Sequence, residues 1–353
     1  MKRIAIFSDN LRVGGIQKSL ANLLKSNAFR EWEVHVFLYD REMFFDLGDP
    51  GTRVKLHFLP PMPVWCKALP FGLIYRFFSL PREIPDLEYD LAIDFDSYQN
   101  ATALGALKVK AKKRVMWIHN DVAIKRREEK KYDLLFRIMK GKYQYFDEFA
   151  AVSPGIVDSF RKETGVFNAP VTVIPNLIDG AEIRKKSLEA CSLSVSSDSF
   201  NLVSVGRLCH QKGYDLLLED FACARKKRRD AVLYLVGDGP DRQRLEAQAA
   251  SLKIADSVHF LGNLSNPFPV LRQMDAFCLT SRYEGQGMVL WEAKAVGLPL
   301  IFPKRLERYN PGLEGCEDVA SAIVEAKKGE KCPSDLESYN RAIIDSLRSL
   351  VQD

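Results

Sequence analysis

Residues 282–299, R-Y-E-G-Q-G-M-V-L-W-E-A-K-A-V-G-L-P, place Glu284 and Glu292 in a glycine-rich stretch behind an apolar run at 276–280. Helical periodicity follows, so the acids and glycines stand at a strand-to-helix turn, where open α/β sheets bind ligands. Gly285 and Gly287 let backbone approach a ligand closely, and the amides of Gly287, Met288 and Val289 are expected as an open first helical turn suited to phosphate. Glu292, four residues past Met288, shares that helical face. Eight helical residues rise about 12 Å and rotate the second side chain off the first face, whereas glycosidase carboxylates flank one bond at about 5 to 9.5 Å. The two acids are therefore not a hydrolytic pair. Glu284 is expected to face the reacting group and Glu292 an adjacent hydroxylated part of the same ligand.

Other candidates sit at comparable turns. In G-R-L-C-H-Q-K-G, 206–213, Arg207 and Lys212 are expected to converge on a diphosphate, one as a planar fork and one as a point charge. Gly14 and Gly15 open a helix and can receive an anion. His119, in W-I-H-N-D, ends a strand and can hydrogen-bond a substrate hydroxyl or leaving group. Asp238, in G-D-G-P, reads as a turn residue. The D-F-D of Asp94 and Asp96 could hold a divalent cation on a nucleotide diphosphate. It ends a strand in a domain of a different order from metal-dependent transferases, and Arg207 and Lys212 supply the charge a metal would, so no metal is expected. G-x-G-x-x-G is missing from the first turn, which argues against a nicotinamide enzyme, and G-x-S-x-G, H-E-x-x-H and Walker A sequences are absent.

The elements that must position these residues alternate as βα units, which predicts two parallel sheets. Strands are expected at 3–7, 32–39, 54–59, 91–95, 114–118, 148–152 and 171–174, then at 201–205, 232–236, 258–261, 276–280 and 299–302. Helices are expected at 16–26, 100–107, 124–143 and 155–164, then at 214–227, 241–252, 267–274, 288–296 and 318–327. The polar, serine-rich stretch 180–199 reads as a connection. The expected organisation is a first domain over 1–178, a linker over 179–199, a second domain over 200–334 and a last helix over 335–353. That helix presents Leu336, Tyr339, Ile343, Leu347 and Leu350 on one face. The two sheets are expected to face each other across a cleft.

At 353 residues the chain suffices for two domains, and 46% hydrophobic with 27% charged residues is the balance of a soluble globular protein. Seven cysteines, at 66, 191, 209, 223, 278, 316 and 332, form no C-x-x-C and read as reduced thiols of a cytoplasmic protein. The N-terminal apolar run stops at Asp9, which suits a strand rather than a signal peptide. The apolar segment 69–80 is interrupted by Arg76 and is too short to span a bilayer. Net charge is +5, and thirteen Lys/Arg against four Asp/Glu fall between Lys108 and Lys142. Such a run either gives a positive face towards phosphates or anionic lipid, or is a solvated helix face with local ion pairs. No nucleic-acid-binding motif accompanies it.

Taken together, the motifs resemble a known family. V-G-G-I-Q-K-S-L, V-I-P-N-L-I-D, S-V-G-R-L-C-H-Q-K-G-Y-D-L-L, L-V-G-D-G-P-D-R-Q-R-L-E, V-H-F-L-G and E-G-Q-G-M-V-L-W-E-A-K-A-V-G-L-P are similar to those of the retaining, GT-B-fold glycosyltransferases of family 4, which build bacterial lipopolysaccharide, capsule, teichoic acid and glycolipid. The resemblance implies an α/β fold of two facing Rossmann-like domains with a donor cleft between them. It implies transfer of a hexose from a nucleotide-diphosphate sugar, UDP favoured and GDP possible, to a glycan or lipid-linked acceptor. Arg207 and Lys212 would hold the donor diphosphate, helped by Gly15 and the amides of Met288 and Val289. Glu292 would accept from the ribose, Glu284 and His119 would hold the sugar, and the base would lie by the loop after Phe260. No metal or other cofactor is implied, and the last helix would return to the first domain. With no carboxylate placed as nucleophile, same-face transfer is the expected route. The sequence departs from the family after G-L-P, where I-F-P-K-R-L-E-R-Y-N replaces a small-residue loop. A sugar-nucleotide epimerase of the same fold and a non-catalytic sugar-nucleotide-binding subunit are the competing readings. The segment 69–80 and the basic run suggest a peripheral contact with the inner face of an anionic membrane.

Overall fold

A computed structural model describes the chain except for Val13, Asp46, 48–52, 64–68, Cys332, Pro333, Asp335 and Asp353. Cys66, Cys332 and the expected start of the last helix at Asp335 thus lie outside the described residues. The chain divides into two compact units, Met1–Leu177 with Tyr339–Asp353, and Ile178–Ser338.

In the first unit, seven parallel strands run β1 (Arg3–Ser8), β2 (Glu33–Leu38), β3 (Val54–Phe58), β4 (Glu88–Asp94), β5 (Lys110–Ile118), β6 (Glu148–Ala151) and β7 (Val171–Val173), in the order β3-β2-β1-β4-β5-β6-β7. Ile4, Ala5, Ile6 and Phe7 of β1 are all fully buried, the continuous apolar run of a strand covered on both faces. Strand order reverses between β1 and β4, which pair from Ile4 with Leu91 to Phe7 with Asp94. The helices are α1 (Gly15–Lys25), α2 (Phe71–Phe77), α3 (Asn100–Lys108), α4 (Val122–Glu128), α5 (Lys130–Met139) and α6 (Val157–Thr164). The helix expected over 124–143 is broken. Glu129 takes an extended conformation between α4 and α5, and Arg126 bonds across the break to Asp133 at 2.6 Å and to Glu163. Helix α2 has no counterpart among the expected elements; it is one short apolar stretch with Phe71 and Ile74 buried and Leu73 and Phe77 exposed.

The second unit contains five parallel strands, β8 (Phe200–Val205), β9 (Ala231–Val236), β10 (Val258–Gly262), β11 (Ala276–Cys278) and β12 (Leu300–Ile301), in the order β10-β9-β8-β11-β12. Its helices are α7 (Gly180–Lys186), α8 (Tyr214–Arg225), α9 (Arg242–Ser251), α10 (Phe268–Gln273), α11 (Met288–Val296) and α12 (Val319–Glu325). Helix α7 corrects the reading of 180–199 as connection throughout. Asp179 caps it by accepting the Glu182 amide at 2.8 Å, and Ile183 is buried as α7 packs on α10 and α11. The last helix, α13 (Glu337–Gln352), packs in the first unit. Ile343, Leu347 and Leu350 are buried, the Tyr339 hydroxyl donates to the Asn176 carbonyl at 3.2 Å, and Lys2 Nζ donates to the Val351 carbonyl. Among the described residues, no helix is long and apolar enough to cross a membrane.

Candidate functional site

Strand order in the second unit reverses between β8 and β11, so the loops leaving these two strands diverge around the place where such sheets take ligands. They are drawn together at Gly213. Its φ of +64° is left-handed, and a Cβ there would stand 2.5 Å from the Thr280 carbonyl oxygen, so only glycine allows this approach. The Thr280 hydroxyl donates to the Gly213 carbonyl at 2.9 Å. Arg282 forks onto both Asp215 oxygens at 2.7 and 2.8 Å and also donates to the His210 carbonyl at 2.9 Å.

This closure brings Lys212 to Glu284, 72 residues apart in sequence. Lys212 Nζ and the Ser281 hydroxyl each donate to Glu284 Oε1 at 2.7 Å, with Glu284 only 4% exposed. Arg207, on the same loop as Lys212, is exposed and forms no ion pair among the described residues. Glu292 is buried, at 6% exposure, on α11.

The expected three-amide cradle at the start of α11 is corrected. The Gly287 amide donates to Asn310 Oδ1 at 3.0 Å, and the Met288 amide turns back onto the Gln286 carbonyl at 2.9 Å. Of the three, Val289 is the amide without an acceptor among the described residues. Nothing periodic in the sequence points to Asn310, because its contact spans 23 residues and depends on how β12 is laid beside β11.

Gly14, Gly15 and His119 belong to the first unit. Gly14 is the N-cap of α1 and has no side chain with which to cap it. His119 follows β5; its Nε2–H donates to the Phe95 carbonyl at 2.7 Å, which leaves Nδ1 as the acceptor. Burial pushes its pKa down to about 4, so the ring is neutral near pH 7. Asp94 and Asp96 are used within the fold. Asp94 accepts from the Ser97 amide at 3.1 Å, and Asp96 from the Asp9 amide at 3.1 Å. Buried Lys142 pins the turn by donating to the Ser97 carbonyl at 2.6 Å and the Gln99 carbonyl at 3.3 Å. Burial, with Asp94 and Asp9 nearby, pushes the Asp96 carboxyl up to about 7. Among the described residues, no group of three or more His, Cys, Asp or Glu is arranged to hold a metal ion.

The basic run is partly self-neutralised. Lys110 pairs with Asp86 and Lys112 with Asp90, each at 2.7 Å, and Lys113 with Glu148 at 2.8 Å. Lys130, Lys131 and Lys140 remain exposed beside Leu134, which is 63% exposed, and Leu135.

Comparison with known proteins adds two family matches, to "Glycosyl transferases group 1" over residues 192–305 and to "Glycosyltransferase Family 4" over residues 13–182. An uncharacterized glycosyltransferase of Methanocaldococcus jannaschii is 25% identical over 66% of this chain and 60% of its own length. The Campylobacter jejuni N-acetylgalactosamine-N,N'-diacetylbacillosaminyl-diphospho-undecaprenol 4-alpha-N-acetylgalactosaminyltransferase is 24% identical over 85% of this chain and 80% of its own. Among solved structures, a point mutant of S. aureus TarM in complex with Fondaparinux, alpha-GlcNAc-glycerol and UDP aligns over 100% of both chains, with a TM-score of 0.70 at 12% identity.

Proposed function

The chain belongs to the glycosyltransferases of the GT-B, family 4 type, and we propose that it moves a hexose from a UDP-sugar, or a GDP-sugar, to a hydroxyl of a glycan or lipid-linked acceptor. The observation that carries this reading is the Lys212–Glu284–Ser281 cluster at the reversal point of the second sheet. It puts a cation and a buried carboxylate on one ligand-binding edge. In this reading Arg207 and Lys212 hold the diphosphate with the Val289 amide, Glu292 accepts from the ribose, and Glu284 holds the sugar. Within the first unit, neutral His119 offers Nδ1 as an acceptor suited to a hydroxyl group, and the start of α1 at Gly14 and Gly15 suits an anion.

Transfer proceeds on one face with retention. The bond from the anomeric carbon to the phosphate oxygen breaks, the acceptor oxygen bonds to that carbon, and its proton passes to the departing phosphate oxygen. Arg207 and Lys212 stabilise the charge developing on that oxygen, so the step needs no metal. The exposed Leu73, Phe77 and Leu134, with the exposed Lys130, Lys131 and Lys140, support a peripheral contact with an anionic lipid surface in the cytoplasm.

The test is to incubate purified protein with UDP-, GDP- and ADP-sugars and follow both free nucleotide and sugar identity. Release of UDP or GDP, stimulated by a lipid-linked glycan and surviving EDTA, is expected. An altered sugar without release means an epimerase; bound but unchanged donor means a binding subunit. Activity lost with EDTA and restored by Mn²⁺ would refute metal independence.

A further inference from the structure

The segment that departs from the family pattern, 301–310, continues from β12 into a short helical turn, Lys304–Tyr309, and is laid against the Glu284 turn. One guanidinium nitrogen of Arg305 donates to the carbonyls of both Thr280, at 3.1 Å, and Ser281, at 3.0 Å. These carbonyls lie past the end of β11, beyond its ladder with β12. At the other end of the turn, Asn310, fully buried, accepts the Gly287 amide at 3.0 Å and donates to the Leu306 carbonyl at 3.0 Å. A carboxamide can accept and donate at once in that pair of contacts. The segment is itself anchored. The Lys304 amide donates to the Cys316 carbonyl at 2.9 Å, the Cys316 amide to the Phe302 carbonyl at 2.8 Å, and the Gly315 amide to the Glu307 carboxylate at 2.8 Å.

We infer that Arg305 and Asn310 are positioning residues, which grip the two ends of the turn 280–287 and so fix where Glu284 presents its carboxylate to the donor sugar. The inference rests on the donor-site reading above. It assigns a purpose to the loop after G-L-P: two polar side chains hold the turn through its backbone groups. Neither side chain needs to touch the donor for this. Arg305 is exposed, so its replacement leaves no core cavity.

The experiment compares Arg305→Met, Arg305→Lys and Asn310→Ala with wild-type protein. Three quantities are read: UDP affinity by calorimetry, the rate of UDP release from the UDP-sugar consumed at saturating concentration, and Tm. Small displacements of a catalytic group cost rate steeply, so Arg305→Met is expected to lower the rate about tenfold or more while UDP affinity stays within about threefold. Arg305→Lys, which keeps a donor for the two carbonyls, is expected to recover at least about a third of the rate. Asn310→Ala is expected to follow Arg305→Met with a lower Tm. Wild-type rates in both Arg305→Met and Asn310→Ala, or rate and UDP affinity falling in parallel with Tm and no recovery in Arg305→Lys, would overturn the inference alone. A wild-type protein that neither binds UDP nor releases it would overturn the donor-site reading and this inference with it.

Discussion

At the reversal point of the second sheet, charge is met by charge: Lys212 and Ser281 converge on Glu284, Arg282 forks onto Asp215, and Arg305 and Asn310 tie down the backbone between them. At the corresponding edge of the first sheet, burial shifts the groups towards their neutral forms instead. His119 is pushed down to about 4 and Asp96 up to about 7, and Lys142 spends its hydrogen bonds on the carbonyls of one turn. The same topology thus builds two different environments. Paired cations and a fixed carboxylate suit a charged carrier, and neutral acceptors suit hydroxyl groups.

The largest effect that could break this contrast is at Glu284. Glu284→Gln keeps the size but weakens what Lys212 and Ser281 hold, and is expected to lower turnover by about 10²–10³ with UDP affinity within a few-fold, by analogy with the loss of one preorganised transition-state contact. Steady-state kinetics beside calorimetry decides it; near-normal turnover removes Glu284 from the reaction.

A smaller effect sharpens the neutral side. Asp96 has a folded value near 7 against an ordinary 3.8, so the unfolded chain ionises first and stability is lost as the pH rises from about 4 to 7. His119 works in the opposite sense: its folded value near 4 lies below the ordinary 6.5, so stability is lost as the pH falls from about 6.5 to 4. Asp96→Asn removes the first penalty. It is expected to stabilise the protein by about 2–4 kcal/mol at pH 8 and to lose that advantage by pH 4. Equal differences at both pH values, in denaturant melts, would show that Asp96 is not held protonated.

The smallest effect separates the units themselves. Tyr339→Phe deletes the hydroxyl contact of α13 to Asn176 and is expected to cost about 1 kcal/mol. Hydrogen exchange should accelerate in the first unit and leave β8 to β12 unchanged.

Much of this architecture is local and therefore readable in the chain. Ile4 to Phe7 form a fully buried parallel strand because four consecutive apolar residues suit no half-exposed one, and α11 spans Met288–Val296, as its periodicity predicts, closed by the left-handed Gly297. Composition misleads where one contact outweighs it: the polar 180–199 reads as connection, yet an Asp179 cap and one buried isoleucine suffice for α7. The open amides at Gly287 and Met288 are a local inference overruled by Asn310 and by a backward turn.

The sequence by itself determined which residues would stand at strand ends, because strand and helix periodicity involve only near neighbours. Tertiary structure alone decided which of them meet. Lys212 reaches Glu284 across 72 residues, and Arg305 reaches Thr280 across 25, only after strand order has placed β8, β11 and β12 side by side. The protonation of His119 and Asp96 was likewise settled by burial, a property of the whole unit rather than of either side chain.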